Sequence, residues 1–230
     1  MKFKERLLQG ILIKRYKRFF VDIKYQNKTI TAHCPNSGSM MGLLNNGNKV
    51  WFSQSDDPKR KLKYTLQIIE INKKMVGVNT HLTNKIILES LKEKKIKSLI
   101  KFNNIRSEVK FSENTRFDFL ITNNKDKCFL EVKNVTLLRK NNMAEFPDAV
   151  TSRGTKHLKE LINAKKKGYI SYLLYLIQRE DCKSFKIAED IDKEYKNNFN
   201  LALKNGVKIL CYDCKLSSEE IKLNNQISYE

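Results

Sequence analysis

Short runs of alternating apolar and polar residues fill the first third of the chain. Val, Ile, Thr and aromatic residues recur with a period of two over residues 11–16, 20–25, 28–33, 49–54, 64–71 and 74–78. Successive side chains on a strand point to opposite faces, so this pattern predicts strands with one buried face. Turn-forming residues separate the runs, as at Asn27-Lys28 and Asn46-Gly47-Asn48. Five or six short strands in so short a segment predict a small barrel over residues 1–80, and an OB-like barrel is one natural solution.

Past residue 80 the period changes. Residues 83–100 read as a helix with Ile87, Leu88 and Leu91 on one side. Strands are expected at 105–111, 116–122 and 127–133, then a helix over 151–167 with Leu158, Leu161 and Ile162 as its apolar stripe and Gly168 where it stops. The continuous apolar run Tyr169–Ile177 predicts a strand buried on both faces. A helix over 192–204 and a strand over 207–212 follow. A hairpin followed by strand–helix–strand connections implies a mixed sheet flanked by helices over residues 81–230. The expected fold class is α+β, with two domains.

Charge adds a direction. Lys and Arg number 45 against 25 Asp and Glu, a formal surplus of +20. Such a surplus attracts phosphate backbones or anionic membranes. The excess of Lys over Arg, with abundant Asn and Ile, also fits a coding sequence drifting toward A and T, but that drift adds little net charge. No stretch is long and apolar enough to span a bilayer, and the basic start MKFKERLLQG lacks an apolar core of the signal-peptide kind. The five Cys, at 34, 128, 182, 211 and 214, are odd in number and mostly in apolar runs, which suits free thiols in a reducing cytoplasm. The expected partner is nucleic acid, DNA before RNA, and not a membrane.

Three basic segments are candidates for holding it. Lys14, Arg15, Lys17 and Arg18 surround Tyr16 and precede Phe19 and Phe20, a mixture that suits single strands but equally a solvated strand edge over core rings. Lys59, Arg60, Lys61 and Lys63 follow Pro58 in a turn-like stretch. Arg153 and Lys156, with Thr151 and His157, open a helix whose N-terminus favours phosphate. Cys211-x-x-Cys214 has no second pair at zinc-site spacing.

The stretch RFDFLITNNKDKCFLEVKN, residues 116–134, carries the chemistry. If Asn123–Asp126 form the turn, Thr122 pairs with Lys127 and Asp118 falls opposite Glu131, with Lys133 on the same face as Glu131. Like charges across a hairpin repel, and a divalent cation between them reverses the sign. Mg²⁺, for which Mn²⁺ can substitute, takes one or two carboxylates, keeps waters and accepts a phosphate oxygen. With a lysine to stabilise developing charge, this is a toolkit for phosphodiester hydrolysis. E-x-K alone is common on exposed strand edges; the Asp between Phe117 and Phe119 is what sharpens the reading.

The Asp on one strand and E-x-K on the next resemble the PD-(D/E)xK nuclease superfamily. The whole chain resembles the sugar fermentation stimulation protein A (SfsA) family, through TAHCPNSGSMMGL at 31–43, SDDPKRKLKYT at 55–65, VGVNT at 76–80, EVKFSENTRFDFLI at 108–121, EVKNVTL at 131–137 and FPDAVTSRGTKHLKEL at 146–161. The resemblance implies an OB-like domain before a PD-(D/E)xK-like domain, largely sequence-independent DNA binding, and a role in regulating sugar (maltose) metabolism. It makes Asp118 and Glu131 metal ligands, Lys133 the catalytic lysine and Glu89 an additional acidic ligand, with Glu108 its rival. It also places Gln178, at the end of a buried strand, near the nucleic acid. The same residues suit cleavage, DNA binding without cleavage, or RNA binding.

Overall fold

The period-two segments form the strands their pattern predicts. In the computed structural model, which describes residues 1–140 and 142–230, these are Leu8–Tyr16 (β1), Phe20–Tyr25 (β2), Lys28–His33 (β3), Lys49–Gln54 (β4), Tyr64–Ile71 (β5) and Lys74–Gly77 (β6). They join in the order β3-β2-β1-β4-β5-β6. Parallel pairing of Ala32 with Tyr64 and of His33 with Thr65 ties β3 back to β5, which closes a five-stranded barrel and removes the edges an open sheet leaves. Leu12, Val21, Ile23, Phe52, Leu66 and Ile69 fill its interior. At Gly10 on β1 there is no room for a side chain: a Cβ would lie 2.5 Å from Ile23 Cγ2 and 2.9 Å from the Lys24 carbonyl oxygen.

Beyond the barrel come Thr83–Lys92 (α1), Asn104–Ser112 (β7), Thr115–Thr122 (β8), Lys127–Val135 (β9), Leu137–Lys140 (β10), Met143–Phe146 (β11), Ser152–Lys166 (α2), Ile170–Ile177 (β12), Ser184–Ile187 (β13), Lys193–Lys204 (α3), Lys208–Leu216 (β14), Ile221–Gln226 (β15) and Ser228–Tyr229 (β16). The main sheet has the order β15-β14-β12-β9-β8-β7. Its central strands β9, β12 and β14 are parallel and its flanks antiparallel. Ile86, Ile87 and Leu91 of α1 pack on one face; Leu158 and Leu161 of α2 and Phe199 of α3 pack on the other. β12 is buried on both faces, as its unbroken apolar run requires: Leu174 and Leu176 join the α1 side, Leu173 and Tyr175 the α2 side. Thr151 caps α2 by accepting from the Gly154 N–H at 3.1 Å, and Gly168 takes φ +87° just past its end.

Three features depart from the pattern-based reading. The helix expected over 83–100 stops at Lys92, because Lys94 takes φ +56° and the chain turns to bury Ile96 and Leu99. The Lys94 ammonium holds that turn, donating to the Ile100 carbonyl at 3.1 Å and the Phe102 carbonyl at 2.5 Å. A second small sheet, β10-β11-β13-β16, lies outside the pattern-based expectation; its strands are two to four residues long and scattered between helices and loops. Residues 1–7 belong spatially to the second unit: Phe3 and Leu7 donate backbone bonds to Glu219 and Ser218, and Leu7 joins the α1-side core.

The two units are stitched by buried backbone. Gly77 N–H donates to the Gln178 carbonyl at 2.8 Å, and Val76 bridges Arg179. The Arg179 guanidinium is 3% exposed and forks onto Asp181 at 2.8 and 2.7 Å. Among the described residues, no helix is long and apolar enough to cross a membrane. Replacing Gly10 by Ala forces β1 off Lys24 and lowers stability by about 1–3 kcal/mol. In a thermal melt this reads as a fall of about 2–4 °C per kcal/mol for a chain of this size.

Candidate metal centre and nucleic-acid interface

The β8–β9 hairpin turns where its sequence says. The Asn123 side-chain oxygen accepts from the N–H groups of Lys125 at 2.9 Å and Asp126 at 2.7 Å. Pairing runs from Thr122–Lys127 to Phe119–Leu130. Continuing it brings Asp118 to Glu131, and here the ladder gives way to a side chain: Asp118 Oδ2 accepts from the Val132 N–H at 2.7 Å. Asp118 Oδ1 accepts from Asn84 Nδ2, on the first turn of α1, at 2.7 Å.

On the other side of Asp118 lies Glu108, which β7 carries at φ +53°, a left-handed conformation that strains a residue bearing a Cβ. The ladder pairs Ser107 with Phe119 and Val109 with Phe117, skipping Glu108. The face of β8 reverses at the same place. Phe119 and Ile121 enter the α1-side core, yet Phe117 enters the α2-side core. The distortion opens the sheet around Asp118 and sets Glu108 Oε1 3.4 Å from Asn84 Nδ2.

Glu131 is 3% exposed. Its Oε1 accepts from Lys133 Nζ at 2.7 Å and meets His157 Nδ1 of α2. Its Oε2 is buried with no partner. The two carboxyls are driven apart in acidity. Burial, and then the charge of Glu131, pushes Asp118 up to about 6. Burial also opposes ionisation of Glu131, but Lys133 and His157 overcome it and hold that carboxyl below the usual range. An orphaned carboxylate oxygen beside a second destabilised carboxylate is a donor set that fits a hard divalent cation. Among the described residues no three His, Cys, Asp or Glu side chains already surround one point, so waters or substrate oxygens would complete such a site.

The other candidates separate clearly. Arg153 and Lys156 line an open groove with Lys110, Arg116 and His157, so cations run directly up to the residue touching Glu131. Arg18 is exposed at the β1–β2 turn, and Lys14 lies over the Tyr16 ring at 5.6 Å. Lys59, Arg60 and Lys61 are exposed on the barrel loop, where Arg60 donates to Thr65 Oγ1 at 2.7 Å. Burial, then the charges of Arg60 and His81, hold His33 below the ordinary imidazole range, so cationic and imidazole groups lead from the barrel to the start of α1.

Three expected residues are placed elsewhere. Arg15 spends its guanidinium on the carbonyls of Arg18, Gly38, Ser39 and Asn36, at 2.7, 3.0, 3.3 and 2.7 Å. Gln178 is 0% exposed and donates to Asn134 Oδ1 at 2.6 Å, out of reach of nucleic acid. Glu89 faces the chain's amino group at 2.9 Å, more than a helical turn beyond Asn84, and does not join the cluster. Asn84 and the contact of His157 with Glu131 went unread. Neither leaves a local signal, because each acts across a tertiary contact.

Two family models cover the chain: the SfsA N-terminal OB domain over residues 13–78, and the Sugar fermentation stimulation protein RE domain over residues 81–220. The chain belongs to the SfsA family. The sugar fermentation stimulation protein homolog of Pelagibacter ubique (strain HTCC1062) is 58% identical, over 99% of this chain and 98% of its own. That of Ruegeria sp. (strain TM1040) is 42% identical over 98% of each. A solved structure described as Pyrococcus furiosus SfsA in complex with Ca²⁺ shares the fold at a TM-score of 0.90 and 24% identity, covering 100% of this chain and 98% of that one. The resemblance drawn from the motifs and the two-domain α+β fold are therefore both correct for this SfsA-family chain.

The acidity of Asp118 sets a pH dependence. The folded protein keeps the Asp118 proton up to about pH 6, whereas the unfolded chain releases it near 3.8. Stability therefore falls as pH rises through that window, by up to about 3 kcal/mol. Asp118→Asn is expected to raise the Tm in chelator at pH 7.5, with the gain vanishing near pH 4. Millimolar Mg²⁺ or Ca²⁺ is expected to raise the wild-type Tm and not that of the variant.

Proposed function

We propose that this protein binds DNA through its phosphates, largely without regard to sequence, and hydrolyses a phosphodiester at Asp118, Glu131 and Lys133. The observation that carries the reading is the buried, unpartnered Oε2 of Glu131 beside Asp118, with the Lys133 ammonium 2.7 Å from the other oxygen. Asp118 and Glu131 would hold Mg²⁺, or Mn²⁺ in its place. When bound, such a cation polarises the phosphoryl oxygen and lowers the pKa of water. Lys133 is placed to donate to a non-bridging phosphate oxygen or to orient the attacking water. His157 holds Glu131 in position. Asn84 fixes the orientation of Asp118. Lys110, Arg116, Arg153 and Lys156 would track the backbone on one side of this centre, and Arg18, Arg60 and the barrel on the other.

The complex of Pyrococcus furiosus SfsA with Ca²⁺ agrees with a preference for hard oxygen-ligated cations. Five buried free thiols agree with a reducing compartment such as the cytoplasm.

Labelled single- and double-stranded DNA and RNA, incubated with Mg²⁺ or Mn²⁺, test the assignment. Asp118→Ala and Lys133→Ala are each expected to lower cleavage by roughly 100-fold or more while DNA affinity stays within a few-fold. Combining Arg116→Ala with Arg153→Ala is expected to weaken binding to all sequences alike and to flatten the plot of log K against log salt by about 0.9 per lost phosphate contact. If no substrate is cut while salt-sensitive binding persists, hydrolysis is refuted. A non-catalytic DNA-binding regulator, in keeping with the sugar fermentation role in the family name, then remains.

A further inference from the structure

A cleft of about 410 Å³ opens between the barrel and the second unit. Its size lies within the roughly 300–1,000 Å³ of sites that take one small organic group. It lies where β9 ends, at the carboxyl end of a parallel strand, the usual place for a ligand in an open α/β sheet. Val135, which lines it, follows Lys133 by two residues on the same face of β9.

The lining is mixed in a way that suits a nucleotide. Phe146 and Ala149 offer apolar surface on one side, and the exposed Arg18 and Ser37 of the barrel offer donors on the other. Asn134 accepts through its side-chain oxygen from Gln178 at 2.6 Å and Thr83 at 3.2 Å, which leaves its two N–H donors for a ligand. Glu145 also borders the cleft. Arg139, at 2.6 Å, and Lys186, at 3.4 Å, neutralise its charge, and Asp148, the second carboxylate of the lining, turns its Oδ2 to Ser39 Oγ and the Met40 N–H.

The cleft is preformed. Arg15 clamps the carbonyls of residues 36, 38 and 39, and that loop is strutted to the second unit by Ser39 Oγ donating to the Asp148 carbonyl at 2.9 Å and Met40 N–H donating to Asp148 Oδ2 at 3.2 Å. Gly38 is packed so closely that a Cβ there would lie 2.4 Å from Asp148 Oδ2. Phe19, which follows the cleft-lining Arg18 in the chain, is 44% exposed and offers a ring on which a neighbouring base can stack.

We propose that this cleft receives the nucleotide adjoining the phosphate held at Asp118, Glu131 and Lys133, so that the substrate is DNA with an unpaired nucleotide at the point of attack. Single-stranded DNA and the single-stranded overhang of a duplex both qualify. A base inside an intact duplex does not, because it would first have to leave the stack. The inference rests on the phosphodiester reading for the register of the strand, but the cleft can be probed without cleavage.

The test uses the full chain with Ca²⁺ and oligodeoxynucleotides bearing 2-aminopurine, in single-stranded, overhang and fully duplex forms. Wild type is expected to change the 2-aminopurine emission in the first two and not in the duplex. Ala149→Trp, at an exposed lining position, is expected to fill the cleft. It should abolish the emission change and weaken single-strand binding by roughly tenfold, the scale of one lost stacked base, with duplex affinity held within about twofold. Ser37→Trp, on the opposite wall, should do the same. Equal binding of single strand and duplex, with neither variant altering emission or affinity, overturns the cleft assignment and leaves the phosphodiester reading standing. Absence of binding to every form overturns both.

Discussion

Two carboxylates sharing one buried corner of a sheet are the constraint around which the second unit is built. Asp118 and Glu131 sit on neighbouring antiparallel strands, where like charges oppose pairing. The structure meets this unequally. Glu131 receives two cationic or donor partners on a single oxygen, Lys133 and His157, and ionises readily despite its burial. Asp118 receives a backbone N–H and an amide, which orient it without neutralising it. The remaining imbalance is concentrated at one orphaned oxygen. A buried acceptor without a partner costs stability, and the fold carries that cost at Glu131 Oε2.

The surrounding strain has the same origin. Glu108 adopts a left-handed conformation in the middle of β7, and β8 exchanges the faces of Phe117 and Phe119 across Asp118. The distortion lies where Asp118 meets Asn84 of α1. Apolar packing on both faces of the sheet is extensive enough to hold the irregularity in place.

The positive surplus is likewise divided by geometry. Arg15, Arg139 and Arg179 are committed to carbonyls and carboxylates within the fold, and their planar forks fix loops that border the interdomain cleft. The lysines and the remaining arginines around α2 and the barrel tip are exposed. Rigid positioning therefore comes from arginines engaged in these pairings, of which Arg179 is buried, and the long-range field from the uncommitted exposed cations. Together with the Gly77–Gln178 contact, this makes the barrel a fixed wall of the cleft.

Much of this was legible in the chain itself. The six strands of the first unit, the three helices and the central strands follow from apolar periodicity, because each has a face or a whole surface to bury. The turn at Asn123–Asp126 and the opposition of Asp118 to Glu131 follow from local turn chemistry and the two-residue repeat of a strand. Arg15 and Arg153 look alike in sequence, yet one is spent inside a loop and the other lines a groove. Gln178 and Glu89 stand in plausible positions but are claimed by Asn134 and the amino terminus, while Asn84 enters the site unannounced and His157, read only as part of a phosphate-favouring helix start, reaches Glu131. Local patterning determines which segments form strands and helices, and so where the hairpin turns. Which charges reach the site is decided only when distant elements pack, because a side chain's partner is set by distance in space and leaves no period along the chain.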